Sequence, residues 1–353
     1  MRIGIVASRL AEAKLLRAAV LIKSEHQVIW MTDSGGDAVE LSAKDTPDLL
    51  LMGLRARTEA VDATRRIMAS TPCGILIVTA CVQRDTARVF EAMGHGALDV
   101  VNMPASPSPE GARELLERIS IVSRLVGDKT SALVPVGDSR SAVSDRWPLV
   151  AIGASTGGPA AVAQLLRRLP QDFPAAIVLI QHVDAQFARG MAEWLNEQSA
   201  LPVAVAREGQ RLAAGHVLLA GTSDHLVLKA SQHLGYTSEP RQSVYRPSVD
   251  VFFESVSRYW RGDAVGVLLT GMGGDGARGL KALRTGGHHT IAQDQGSSVV
   301  YGMPKAAATL NAAVDILPMD RIASRLVDVV AERTRPKPAS GVADRDLKAA
   351  QTE

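Results

Sequence analysis

Residues 149–159 read LVAIGASTGGP, an apolar run ending in a serine with small residues on both sides. The amphipathic stretch behind it repeats Val162, Leu165, Leu166 and Leu169 at the spacing of one helix face. The pattern predicts a strand, a tight turn and a helix, with Ser155 at the carboxyl end of the strand. A hydroxyl lifted out of a sheet there lies beside a helix N-terminus, whose first backbone N–H groups lack intrahelical partners. Acyl transfer uses both features, an exposed nucleophile and donors aimed at a developing oxyanion. A Gly-rich turn of this kind also serves phosphate binding or close helix packing, and the stretch alone does not choose.

On either side of this stretch, β-rich runs alternate with helical patterns along the chain. Residues 2–7, 26–31, 48–52, 74–79 and 98–103 read as five strands, with helices between them such as 12–24 and 59–69. A repeated βα pattern predicts a parallel sheet covered on both faces. The expected fold class is α/β, with two doubly wound parallel-sheet domains. Residues 1–126 form the first, and residues 147–332 the second. Between them, residues 127–146 lose all periodicity and are rich in Ser, Asp, Gly and Pro, which predicts a linker. Residues 333–353 are polar, with Val342 and Leu347 as their only larger hydrophobic side chains, so a disordered tail is expected.

Bulk composition narrows the function classes. The 353 residues carry a net charge of +2, which gives no strong basic field for nucleic acid. Apolar runs are all shorter than the roughly 20 residues of a membrane span. The first residues read as a strand and helix rather than a signal peptide. Cys73 and Cys81 have neither a CxxC nor a zinc spacing, and a reducing cytoplasm is the expected compartment.

In the second domain, three polar residues fall at predicted strand ends. Ser155 follows LVAIGA, His182 follows AAIVLIQ, and Asp275 follows AVGVLLTGMGG and opens a helix containing Leu280 and Leu283. Ligands of a parallel α/β sheet bind outside the carboxyl ends of its strands, so the three share one edge. A hydroxyl, an imidazole and a carboxylate make a nucleophilic triad whatever their chain order. Taken singly, a strand-end histidine is more often structural, and an aspartate beside glycines is more often an N-cap. His288 and His289 are adjacent and therefore point apart, which argues against a metal site. Arg246 in YRPSVD fits either an ion pair or a pocket contact.

The domain resembles the catalytic domain of chemotaxis protein-glutamate methylesterases, the CheB family. The resemblance rests on AIGASTGGP (151–159), QHV…F…MAEWLN (181–196), GHVLLAG (215–221), RPSVDVFF (246–253), GVLLTGMGGDGARG (266–279) and TIAQDQGSSVVYGMPKAA (290–307). It implies a Rossmann-like catalytic fold with Ser155 as nucleophile, His182 as general base and acid, and Asp275 orienting His182. It also places Thr156 and Met272 at the site, with backbone N–H groups forming the oxyanion hole. The implied reaction hydrolyses glutamate γ-methyl esters on methyl-accepting chemoreceptors and releases methanol, without metal or organic cofactor. Receptor-glutamine deamidation through the same acyl-enzyme is a further implication.

The first domain resembles the response-regulator receiver, a flavodoxin-type fold, without its chemistry. The metal-holding acidic pair is replaced by Ala7 and Ser8, the phosphoacceptor aspartate by Gly53, and the lysine by Met103; only Thr79 matches. The loop after Gly53 is also one residue short. Aspartyl phosphorylation needs an acceptor carboxylate, a metal and a cation, so none is expected here. In the family an unphosphorylated receiver covers the active site. Here that leaves a permanently open enzyme, a permanently covered one or one uncovered by a protein partner, and control by a partner, such as another chemosensory-array protein, or weak constitutive activity is expected. MRIGIV, CGILIVTA and VFEAMGHGALDVVNMP most resemble methylesterases of non-flagellar chemosensory pathways. Two other readings compete: a restrained regulatory scaffold, and nucleotide binding at GASTGGP and TGMGGDG. The second predicts an acidic residue after the next strand, where Gln181 and His182 stand instead.

Overall fold

A computed structural model describes residues 1–23, 25–54, 59–80, 82–125 and 147–334. The predicted linker, the residues of the shortened loop at 55–58, Cys81 and all but the first two residues of the predicted tail lie outside the described residues.

The N-terminal half alternates β1 (Arg2–Val6), α1 (Leu10–Val20), β2 (Gln27–Thr32), α2 (Gly35–Lys44), β3 (Leu49–Gly53), α3 (Glu59–Ser70), β4 (Gly74–Thr79), α4 (Val82–Gly94), β5 (Asp99–Asn102) and α5 (Arg113–Leu125). The five strands are parallel in the order β2-β1-β3-β4-β5, the flavodoxin-like doubly wound arrangement. Strand β3, LLLMG, is buried throughout because helices cover both faces. Alternate residues serve opposite layers: Leu49 and Leu51 pack with Leu16 and Ile119, while Leu50 and Met52 pack with Ile67 and Phe90. Helix α1 starts two residues earlier and ends four earlier than its periodicity predicts. The chain closes a turn in which the His26 N–H donates to the Lys23 carbonyl.

The C-terminal half runs β6 (Leu149–Ala154), α6 (Gly158–Leu166), β7 (Ala176–Gln181), α7 (Ala185–Gln198), β8 (Val203–Val205) and β9 (Val217–Leu219). A hairpin follows, β10 (His225–Leu228) and β11 (Leu234–Thr237), then α8 (Val249–Tyr259), β12 (Ala264–Leu268), α9 (Ala277–Thr285), β13 (His289–Gln293), α10 (Met303–Thr309), β14 (Asp315–Leu317) and α11 (Met319–Thr334). Seven strands form a parallel sheet in the order β14-β13-β12-β6-β7-β9-β8. The antiparallel β10–β11 hairpin stands outside the main sheet and carries no signal that the alternating βα pattern anticipates. Helix α11 extends through Arg333 and Thr334, beyond the expected domain end at 332. Arg333 pairs there with Asp263, and Thr334 Oγ1 donates back to the Val330 carbonyl.

The two halves pack directly. One continuous cluster of buried side chains includes Val89, Phe90 and Met93 of α4 with Met191, Trp194 and Leu195 of α7. Phe90 and Trp194 stack with centroids 5.8 Å apart. Thr86 fits against Gly190, where a Cβ would lie 1.9 Å from its Cγ2. Helix α7 approaches closely only because that position has no side chain.

Candidate active site

Strands β6, β7 and β12 are neighbours, so their carboxyl ends bring Ser155, His182 and the 270–276 turn to one edge. The register pairs Ala154 with Gln181, and the His182 N–H continues the ladder by donating to the Ala154 carbonyl. The Ser155 turn is fixed from three sides. The Ser155 N–H donates to the Thr270 carbonyl at 3.0 Å, Gln181 Nε2 donates to the Ser155 carbonyl at 2.8 Å, and Thr270 Oγ1 donates to the Thr156 carbonyl at 3.0 Å. Gly157 then opens α6 at φ +75°, with Val299 so close that a Cβ would lie 2.6 Å from it. A side chain at this turn would strain the backbone and strike Val299 together.

His182 Nε2 donates to Asp275 Oδ2 at 2.8 Å, both side chains being almost fully buried. Nδ1 is buried and has no hydrogen-bond partner among the described residues. Ser155 Oγ likewise makes no hydrogen bond among the described residues.

Asp275 is not the N-cap of the helix that follows it; α9 starts at Ala277 behind Gly276. Its carboxylate instead caps α8. Oδ2 accepts the Val249 N–H at 2.7 Å, and Oδ1 accepts Ser248 Oγ at 2.8 Å and the Asp250 N–H at 3.1 Å. A helix N-terminus stabilises a carboxylate through its free donors and its dipole. Burial alone would push this carboxyl up, but the hydrogen bond and charge of His182, the Val249 amide and Ser248 outweigh it and hold the pKa below the usual value. Beneath this cap lies His225, fully buried. It accepts the Ser248 N–H at Nδ1 and donates from Nε2 to the Pro240 carbonyl. Asp250 closes the frame by accepting the Gly279 N–H at 2.8 Å and Arg278 Nε at 3.0 Å.

Thr156 and Met272 stand on the two turns flanking Ser155, and their N–H groups make no hydrogen bond among the described residues. Gly271, next to Met272 on the second of those turns, has space for hydrogen only: a Cβ would lie 2.2 Å from Met303 Sδ and 2.7 Å from Ser155 Cβ. A cleft of about 950 Å³ opens on the Asp275 side, lined in part by Tyr245, Val251, Arg258 and Arg278.

The N-terminal half reaches this edge. The Gly157 N–H donates to the Leu98 carbonyl at 3.2 Å, tying the Ser155 turn to the segment before β5. On the next residue, Asp99 holds Arg118 of α5 at 2.7 Å.

The positions compared above with those of a receiver lie at or beside strand ends and carry no acidic side chain. Ala7 and Ser8 follow β1, Gly53 ends β3 and Met103 follows β5. A Cβ at Gly53 would lie 2.8 Å from the Val6 carbonyl oxygen. Thr79 Oγ1 donates to Asp85 of α4 at 2.8 Å.

Other singled-out residues are structural. His288 Nδ1 accepts the Ala264 N–H. His289 donates to Asp315, which also holds Arg325. Arg246 donates to the Ser238 carbonyl and, among the described residues, makes no ion pair and no hydrogen bond to Ser155, His182 or Asp275. Burial pushes the Cys73 thiol up to about 11, far from a reactive thiolate. No group of metal-ligating side chains is found among the described residues, and no helix there is long and apolar enough to cross a membrane. Sequence reasoning missed Tyr245, Ser248 and His225. Ser248 alone left a readable signal, a serine before the amphipathic VDVFF run.

The model of the family described as CheB methylesterase matches residues 150–326. The chain is 56% identical over 333 residues to the protein-glutamate methylesterase/protein-glutamine glutaminase 3 of Pseudomonas syringae pv. tomato, covering 93% of this chain and 99% of that one. It is 54% identical over 337 residues to the protein-glutamate methylesterase/protein-glutamine glutaminase of group 3 operon of Pseudomonas putida, covering 94% and 100%. Among solved structures, the Thermotoga maritima CheB methylesterase catalytic domain aligns with a TM-score of 0.50 and 33% identity, covering 53% of this chain and all of that one.

Proposed function

The chain belongs to the CheB methylesterase family, and on that premise we propose that its own Ser155, His182 and Asp275 carry out the hydrolysis. The substrate is a glutamate γ-methyl ester on a chemoreceptor. Ser155 Oγ attacks the ester carbonyl as His182 Nδ1 takes its proton. Asp275 on Nε2 holds the tautomer that leaves Nδ1 free to accept, and stabilises the imidazolium that forms. The N–H groups of Thr156 and Met272 receive the oxyanion. The imidazolium returns its proton to the departing methoxide, methanol leaves, and water releases the glutamate by the same route in reverse. A receptor glutamine enters the same acyl-enzyme and releases ammonia. The observation that carries this assignment is the 2.8 Å bond from His182 Nε2 to a carboxylate anchored on a helix N-terminus.

Control of this site follows a different route from aspartyl phosphorylation. Gly53, Ala7, Ser8 and Met103 offer no acceptor, metal ligands or lysine, and Thr79 is engaged by Asp85. The contact of Leu98 on Gly157 and the α4–α7 packing support restraint of the active site by the N-terminal domain. We assign its release to another protein of a cytoplasmic chemosensory array. No observation favours a non-catalytic scaffold or nucleotide binding; the Gly157 amide, a candidate phosphate donor, is bound to Leu98.

The test is methanol release from methylated receptor by the full-length chain and by Ser155→Ala, with and without acetyl phosphate. Release by the parent chain alone, unaltered by acetyl phosphate, is expected. Release by Ser155→Ala would refute the nucleophile, and stimulation by acetyl phosphate would refute the account of control.

A further inference from the structure

We propose that Tyr245 is the positioning residue that holds the His182 imidazole in its working plane, an assignment that rests on the esterase reading above. The two rings lie face to face, with centroids 4.3 Å apart and planes 3° from parallel. A ring held by one hydrogen bond to Asp275 is fixed at a point but can still turn about that bond. The flat face of Tyr245 removes this freedom, so that Nδ1 keeps a single direction toward Ser155.

Tyr245 is itself braced at both ends. Ser243 Oγ donates to its carbonyl at 3.1 Å. Its hydroxyl lies against Gly273, where a Cβ would be 2.7 Å from the phenol oxygen and where φ is +80°. One side chain therefore touches both the imidazole and the turn that carries Met272 and Asp275. The charged groups around the stack are Asp275 and, from α5 of the N-terminal domain, Arg118. Burial and then the Asp275 charge push the phenol's pKa up, with Arg118 opposing them, so the ring stays neutral.

The stack also contributes as the reaction proceeds. When the Ser155 O–H bond breaks and the Nδ1–H bond forms, a cation appears over an electron-rich ring, an arrangement that attracts. That attraction is stronger in the transition state than with neutral imidazole, so it acts on kcat rather than on substrate binding.

The experiment compares the full-length chain with Tyr245→Phe and Tyr245→Leu. Methanol release is one readout, and the chemical shift of the His182 ring C–H protons is the other. Tyr245→Leu is expected to lower kcat about tenfold, equivalent to about 1.4 kcal/mol, with KM changed by less than about twofold. Tyr245→Phe, which keeps the face, restores kcat to within about threefold of the parent. The ring current of a stacked aromatic shifts the His182 protons upfield in the parent and in Phe, and this shift vanishes in Leu. Should Tyr245→Leu not fold, Tyr245→Met supplies the non-aromatic side chain. Parent-like kcat in the non-aromatic variant, equal damage in Phe and Leu, or an unchanged resonance would each overturn the assignment. Ser155→Ala run alongside separates failures: methanol release from it counts against the nucleophile, and the resonance then decides the stack by itself.

Discussion

Replacing Asp275 by Asn tests the triad and its anchoring together, because the two oxygens have separate duties. Oδ2 serves His182 Nε2 and the Val249 N–H, while Oδ1 serves Ser248 Oγ and the Asp250 N–H. Asparagine keeps one oxygen and places an NH2 at the other site. With NH2 toward His182, the imidazole must accept at Nε2 and carry its proton on Nδ1, where it can no longer take the serine proton; the Val249 amide also loses its acceptor. With NH2 toward Ser248, the hydroxyl can turn to accept, and the Asp250 amide loses its acceptor instead. Either orientation strands one amide, at a cost of about 1–3 kcal/mol. Both remove the charge that stabilises the imidazolium. The corresponding change in serine proteases lowers kcat about 10⁴-fold; here the second orientation preserves the productive tautomer, so a fall of about 10³–10⁴ is expected. Single-turnover methanol release gives the rate, and urea denaturation gives the stability. A kcat within tenfold of the parent in a folded Asp275→Asn chain would refute the reasoning.

Gly190→Ala drives a methyl into Thr86 of α4, and overpacking of this kind costs about 1–3 kcal/mol. Methanol release by the full-length chain should rise about tenfold for each 1.4 kcal/mol lost from the interface, and Thr86→Ala should partly reverse it; an unchanged rate would show that this packing restrains nothing. Gly157→Ala should reduce kcat by at least about tenfold through left-handed strain and the Val299 clash, with circular dichroism confirming a folded chain. Asp315 is drawn down to about 2, chiefly by the hydrogen bond from His289, against burial and with Arg325 assisting. A depressed carboxyl stabilises the fold above its unfolded pKa and loses that contribution as pH falls through the folded value. Asp315→Asn should therefore cost about 1 kcal/mol near pH 7 after allowance for partial exposure, a difference that fades between about pH 4 and pH 2 in urea titrations.

The alternation of apolar runs and amphipathic stretches determined both parallel sheets, because the body of a strand buried on two faces must be apolar, as LLLM and AIVLI are. The same logic placed Ser155, His182 and Asp275 at strand ends, where a parallel sheet gathers its ligands. The loss of acidic groups at Ala7, Ser8 and Gly53 is likewise a property of the sequence, since no fold can supply a missing carboxylate. Tertiary structure alone decided how Asp275 is held. Its partners Ser248, Val249 and Asp250 lie more than twenty residues away on another helix, whereas local pattern offers, beside the triad role, only a cap for the helix that follows it. It alone decided which imidazole nitrogen faces the carboxylate, and it alone brought Tyr245 onto His182 from a loop without periodicity. The docking of Leu98 on Gly157 and of Thr86 on Gly190 is equally invisible in one dimension. Periodicity records which face of an element is buried; it carries no information about which distant side chain arrives there.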